Sequence, residues 1–198
     1  LSDSQLGLLT GFAFALFYAL AGIPIACWSD RGNRNTIVSI TTGLWSAMVV
    51  LCGLVGNFTQ LLLVRVGVAV GEAGCLPPAQ ALIADYFDRA ERPRAMAMYW
   101  LCGPLSIIIG YLLGGWLAEY LGWRNTFIAI GVPGVLLAIL VKLTLREPRL
   151  KQKILVEVEL PSFKEVVITL WRQDTFRHIV MAFSVSYFFS MGLVQWMP

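Results

Sequence analysis

The sequence predicts an all-α, polytopic membrane helix bundle with six spans, and three observations carry that expectation. First, 58% of the 198 residues are hydrophobic and only 14% are charged, against about 25% charged in an ordinary soluble domain. Second, the charges are segregated. Uncharged runs cover Ser4–Ser29, Asn35–Val64, Ala95–Ala118, Asn125–Val141 and Ile179–Pro198, and a stretch from about Thr59 to Ile83 is interrupted by only two charges. Third, the lengths fit: a hydrocarbon core ~30 Å thick is crossed by ~20 apolar residues. A removable signal sequence would account for one run near the start, not six. A soluble protein burying six such helices would need a shell that the remaining residues cannot supply.

In chain order, the first span opens behind Ser2-x-x-Gln5, the spacing of a capping box, so its helix begins within the first few residues. A short loop carrying Arg31 and Arg34 lies between the first and second spans. Arg89, Arg92 and Arg94 lie between spans three and four, and eight further basic residues between five and six, placing thirteen of the fifteen Lys and Arg on one side. The opposite connections carry only Arg124. The positive-inside rule therefore puts the basic side in the cytoplasm and residue 1 outside. With Leu1 in place of Met and an outward start, a span is expected to precede residue 1. The predicted organisation is an N-terminal bundle over 1–145, a cytoplasmic linker over 146–177 and a further helix over 178–198. Within the linker, Phe163, Val166, Val167, Leu170 and Trp171 recur at helical spacing behind Ser162-x-x-Glu165. This is an amphipathic helix, either lying on the inner membrane surface or packed on the cytoplasmic end of the bundle.

Small residues recur four apart at Gly7/Gly11, Gly22/Ala26, Gly67/Gly71 and Gly110/Gly114, with Gly103 and Gly115 nearby. Such pairs let helix backbones approach closely in lipid, either as static packing or as surfaces that slide. Cys27, Cys52, Cys75 and Cys102 lie in or beside apolar spans without metal or redox spacing and read as small hydrophobes. His178 has no second ligand at metal spacing. No catalytic or phosphate-loop motif is present, so neither enzymatic chemistry, a metal nor a cofactor is expected. The net charge of +3 is too small to suggest a nucleic-acid partner.

The sharpest signal is in the third span, where Arg65 and Glu72 interrupt an apolar helix and Glu72 falls near its centre. An ionised group at the bilayer midplane is costly, so it must face protein, water or a partner, and it marks a transport or proton path. Seven residues is nearly two turns, which puts both side chains on one face, ~10 Å apart along the axis. The alternative is a buried ion pair that only fixes packing. Gly67, Gly71, Gly74 and the Pro77-Pro78 pair surround the carboxylate, the composition of a kinked, cavity-lining helix.

Several of these stretches resemble the major facilitator superfamily. Asp30-Arg31-Gly32-Asn33-Arg34 is similar to its first cytoplasmic loop signature, with Ala26, Asn33 and Asn35 departing from the general pattern of Gly, Gly and a basic residue. Arg65-Val-Gly-Val-Ala-Val-Gly-Glu72-Ala-Gly, followed by Pro77-Pro78, Ala84-Asp85-Tyr86-Phe87 and Arg92-Pro-Arg94-Ala, resembles the spinster-like branch, whose animal members export lysolipids. Gly122-Trp123-Arg124-Asn-Thr-Phe127 is similar to the start of the sixth helix of that family. The resemblance implies helices two to seven of twelve, with six of them visible here. It also implies an absent first helix bearing an Asp-Arg pair, and a site near the midplane at the depth of Glu72.

What the resemblance implies about function is a secondary active transporter, proton-coupled, working by alternating access on a small amphipathic or lipid-like substrate. Glu72 and Arg65 would form the proton and substrate site, and Asp30, Arg31, Arg34, Asp85 and Arg94 a gating set in which Arg34 pairs with Asp85 near Arg94. Aromatic candidates for the cavity wall are Phe14, Tyr18, Tyr99, Trp100 and Tyr187. The expected partners are the substrate, protons and membrane lipid, in a protein that is monomeric when full-length and sits in the inner membrane of a bacterium. The alternative is a membrane sensor or scaffold that keeps the fold without transport.

Overall fold

The computed structural model describes residues 2–148 and 163–196, and the described residues are helical almost throughout. The first compact unit, Leu1–Lys153, contains α1 (Asp3–Arg31), α2 (Arg34–Cys52) and α3 (Phe58–Tyr86), each long and apolar enough to cross a membrane. A fourth such helix, Arg92–Thr144, runs for 53 residues, nearly 80 Å at 1.5 Å per residue and too long for one bilayer crossing. It is two spans joined without a loop. Gly122, at φ 74°, breaks it into α4 (92–121) and α5 (123–144). That backbone region is open to glycine at no steric cost.

The starts of α1, α2 and α3 are each capped by a side chain. Ser2 and Gln5 form a reciprocal capping box, with Gln5 N–H donating to Ser2 Oγ (3.3 Å) and Ser2 N–H donating to Gln5 Oε1 (3.0 Å). Asn33 caps α2 by accepting from Thr36 N–H at 3.0 Å, and Asn57 caps α3 by accepting from Gln60 N–H at 2.9 Å. These side chains satisfy amide donors that a helix start leaves without a partner. A π-helical turn over Leu8–Phe12 interrupts α1, and α3 is broken at Gly74 and Cys75.

The second unit, Ile154–Pro198, contains α6 (Phe163–Trp171) and α7 (Asp174–Trp196). The 23 residues of α7 rise ~35 Å, enough to span the hydrocarbon core. Ser162, the cap expected for α6, lies outside the described residues.

Packing in the first unit is organised around α2, which lies between α3 and α5. Glycines bring the backbones together: a Cβ on Gly71 would stand 2.7 Å from the Trp45 amide nitrogen, and one on Gly131 would stand 2.8 Å from that of Val50. Gly67 faces Met48, Gly134 faces Ser46, and Gly74 is wedged between Thr41 and Ile25. Two of the hydroxyls this buries turn back on their own helix: Ser39 Oγ donates to the Asn35 carbonyl and Thr41 Oγ1 to the Ile37 carbonyl, each at 2.8 Å.

The glycine pairs of the sequence therefore divide in two. Gly67/Gly71 is a close-packed contact, whereas Gly7, Gly11, Gly22, Gly103, Gly110, Gly114 and Gly115 have open space where a Cβ would stand. Replacing Gly71 by Ala should accordingly destabilise the chain in detergent by about 1–3 kcal/mol, the usual cost of overpacking. The same change at Gly110 should be neutral or slightly stabilising, because Ala is the better helix former. Melting curves of the two variants provide the comparison.

Candidate functional site: a midspan carboxylate and a charged clasp

Glu72 stands on α3 two residues before the helix breaks. Pro77 and Pro78 have no N–H, so the carbonyls of Ala73 and Gly74 lose their helical donors, and the Cys75 N–H turns back to the Glu72 carbonyl at 3.1 Å. Val68, Ala69, Gly71 and Ala73 are buried around the carboxylate, while Glu72 and Arg65 are both half-buried. Arg65 is the cation whose field reaches Glu72, but the two form no direct ion pair among the described residues, as their two-turn separation requires.

Next to Glu72, Cys75 Sγ lies 3.6 Å from Thr42 Oγ1 of α2, and Tyr99 of α4 lies within electrostatic reach of Cys75 and of Tyr18 of α1. Phe14 and Tyr18 stack with ring centroids 6.0 Å apart. Phe14, Tyr18 and Tyr99 are half-buried around this region, whereas Trp100 is exposed; Tyr187, also exposed, belongs to the second unit. A carboxylate, a thiol, a hydroxyl and two phenols thus gather at the break in α3.

A second polar cluster ties the start of α2 to the ends of α3 and α5. Arg34, 3% exposed, donates from Nη1 to Asp85 Oδ2 at 2.5 Å. Its backbone N–H, one of the orphan donors of the α2 N-terminus, donates to Glu147 Oε2 at 2.7 Å. Asn35 Nδ2 donates to the Leu145 carbonyl (2.6 Å), Lys142 Nζ to Thr36 Oγ1 (2.6 Å) and the Tyr86 hydroxyl to the Arg146 carbonyl (2.5 Å). Arg92 Nη2 holds the Ala84 carbonyl at 2.6 Å, where a helix C-terminus favours a cation. The clasp is not saturated: Arg34 Nε and Glu147 Oε1 are buried without a hydrogen-bond partner among the described residues.

Of the residues singled out in the sequence, the structure brings Arg34 and Asp85 together. Asp30 and Arg31 are exposed at the end of α1 and Arg94 is exposed in the first turn of α4, where Arg92 makes the contact with the end of α3. Sequence reasoning missed Glu147, Asn35 and Tyr86. Each stood in a marked place without being given a role: Glu147 as a carboxylate standing alone among basic residues where an apolar run ends, Asn35 as a departure from the loop pattern, and Tyr86 inside the Ala84–Phe87 stretch.

With this geometry in hand, comparison with known proteins is decisive. A family model of the major facilitator superfamily matches residues 1–198. The chain belongs to that superfamily. It is 42% identical over 143 residues to an MFS-type efflux pump of Mycolicibacterium smegmatis (strain ATCC 700084 / mc(2)155), a match covering 72% of this chain and 33% of the pump. It is 24% identical over 186 residues to the protein spinster of Drosophila melanogaster, covering 93% of this chain and 31% of that protein. A crystal structure of a bacterial homolog to the human lysosomal transporter spinster, inward-facing and unoccupied, superposes with a TM-score of 0.66 at 45% identity, over 75% of this chain and 36% of that one. The superfamily member described here is spinster-like and an integral membrane protein, and it spans about a third of the length of these relatives.

The clasp makes an asymmetric prediction about its ion pair. The side chain of Arg34 is 4% exposed and that of Asp85 is 30% exposed. Asp85→Asn strands a buried guanidinium and should cost about 3–5 kcal/mol, whereas Arg34→Gln leaves a partly solvated carboxylate and should cost less. Denaturation of the two variants in detergent tests the order, and the idea fails if Arg34→Gln is the more damaging.

Proposed function

We propose that this chain is part of a proton-coupled secondary active transporter that works by alternating access on a small amphipathic or lipid-like substrate. The observation that carries the reading is Glu72: a half-buried carboxylate in the middle of a span, without an ion-pair partner among the described residues, beside a break in its helix. A charge held at that depth is expensive, and ionisable groups retained there mark substrate or proton paths. The helix break beside it supplies backbone that can line a polar cavity. Glu72 exchanges a proton as the cavity opens to one side and then the other, and Arg65, two turns away, modulates it. The names of the relatives support transport, and that of an Arabidopsis thaliana relative 30% identical over 127 residues, a probable sphingolipid transporter spinster homolog, supports an amphipathic or lipid-like substrate.

In this reading Asp30, Arg31, Arg34, Asp85 and Arg94 face the cytoplasm and set the balance between inward- and outward-open states. Residue 1 lies outside and the 146–177 segment is cytoplasmic, a reading that the one-sided distribution of Lys and Arg supports, and the membrane is the inner membrane of a bacterium. The unsaturated clasp supports this role, because buried polar atoms without partners gain when a rearrangement satisfies them. The full-length protein acts as a monomer, with protons and the substrate as its partners.

In liposomes, Glu72→Gln in the full-length protein should abolish uptake driven by a pH gradient while leaving expression and folding intact; undiminished driven uptake would overturn the role. Asp30→Asn should shift the protein toward the inward-open state, read as changed distances between spin labels on the two halves. A bias of ~1.4 kcal/mol shifts a two-state ratio tenfold, so an unchanged distance distribution with normal transport would sink the gating assignment.

A further inference from the structure

The second unit carries a feature that the transport reading does not use. On α6, Val166, Val167, Leu170 and Trp171 form one apolar side, with Lys164, Glu165, Ile168 and Thr169 around the remainder. Val166, Val167, Ile168 and Trp171 are exposed, Trp171 at 58%. The helix closes with Arg172 N–H on the Ile168 carbonyl and Gln173 N–H on the Leu170 carbonyl, both at 3.1 Å, and α7 starts at Asp174. From Ile179 onward α7 is uncharged, so α6 sits at the head of a span, at the level where a bilayer presents its headgroups.

Between the two helices lies an open groove of about 540 Å³, lined by Val167, Ile168, Trp171, Arg172 and Arg177. Its floor is apolar and both of its charges are guanidinium groups. Arg177 is tethered to Asp174 one turn back, which fixes its direction while most of its five donors remain available. The Arg172 side chain has no hydrogen-bond or ion-pair partner among the described residues. Guanidinium is the side-chain group that matches a phosphate with two parallel hydrogen bonds. A soluble anion would need only these cations. The exposed tryptophan and the aliphatic floor beside them suit a molecule that brings glycerol and acyl carbons with its charge, and Trp is the residue favoured at headgroup depth.

We propose that the α6–α7 groove binds the headgroup of an anionic phospholipid, with Arg172 and Arg177 on the phosphate and Val167, Ile168 and Trp171 against the glycerol and upper acyl chain. The proposal takes from the transport reading only the leaflet, the cytoplasmic one, and it stands or falls independently of Glu72. Binding of this kind anchors the entry of α7 to the membrane surface through a specific lipid.

The test uses the whole chain in phosphatidylcholine nanodiscs, with brominated phosphatidylglycerol or brominated phosphatidylcholine titrated in. The fluorescence of Trp171 is obtained as the difference from Trp171→Phe. Half-quenching should need roughly tenfold less brominated phosphatidylglycerol than brominated phosphatidylcholine, in keeping with two arginines at an anionic surface. Combining Arg172→Gln with Arg177→Gln should erase the preference, Lys164→Gln should retain it, and free glycerol phosphate should not compete. Equal quenching by the two lipids in the unaltered chain overturns the proposal whether or not the double variant folds. So does a preference that survives in a double variant of normal helicity, and so does displacement by glycerol phosphate, which would make the groove a site for a soluble phosphate.

Discussion

Lipid tails are as apolar as leucine, so helices in a bilayer gain nothing from hiding apolar surface against one another and must adhere by close contact and polar pairing. In this chain that constraint is met by α2. Glycines on both neighbours, Gly71 on α3 and Gly131 on α5, bring the partner backbones close enough to exclude any side chain at those points. Two of the buried hydroxyls of α2, those of Ser39 and Thr41, are directed back to carbonyls of its own helix, so at those positions its buried face presents methyl or methylene groups and backbone rather than unsatisfied hydroxyls.

The same helix explains why the charges cluster at one end. A helix start leaves amide donors without partners, and the start of α2 meets this need with two side chains from different places, the Asn33 amide within its own turn and the Glu147 carboxylate from beyond the end of α5. Arg34 then points from that start to Asp85 on α3. One residue, through its backbone on one side and its guanidinium on the other, makes α2, α3 and the end of α5 a single polar unit. The midspan group at Glu72 is built differently. Its surroundings are small, its helix is broken within two residues, and the nearest cation is two turns away.

Much of this was legible in the sequence because membrane solvation is so restrictive. Uncharged runs of span length, the two charges inside α3 and the Ser2–Gln5 cap are local signals, and each describes its own helix. What escaped was the pairing between distant segments. Nothing near Gly131 or Gly134 marks them as the residues that meet α2, while the more conspicuous Gly110/Gly114 pair has open space beside it. Glu147 reaches Arg34 across 113 positions, and its role depends on where α5 ends relative to where α2 begins. Arg92 and Arg94 are both plausible partners for the end of α3, and the first turn of α4 turns Arg92 toward Ala84.

The join at Gly122 has a mechanical consequence. A conventional loop between two spans is a slack tether, and each helix can shift along its axis without pulling the other. Here α4 and α5 meet at one residue whose backbone only glycine adopts at ease, and α5 is locked to α2 by Gly53 and Gly131 and by the Arg124 guanidinium on the Val55 carbonyl. Axial displacement of α4 is therefore coupled directly to a fixed strut. The freedom that remains to α4 is rotation about its upper pivot, so any travel of this long, exposed helix is greatest at the opposite end, beside the charged residues.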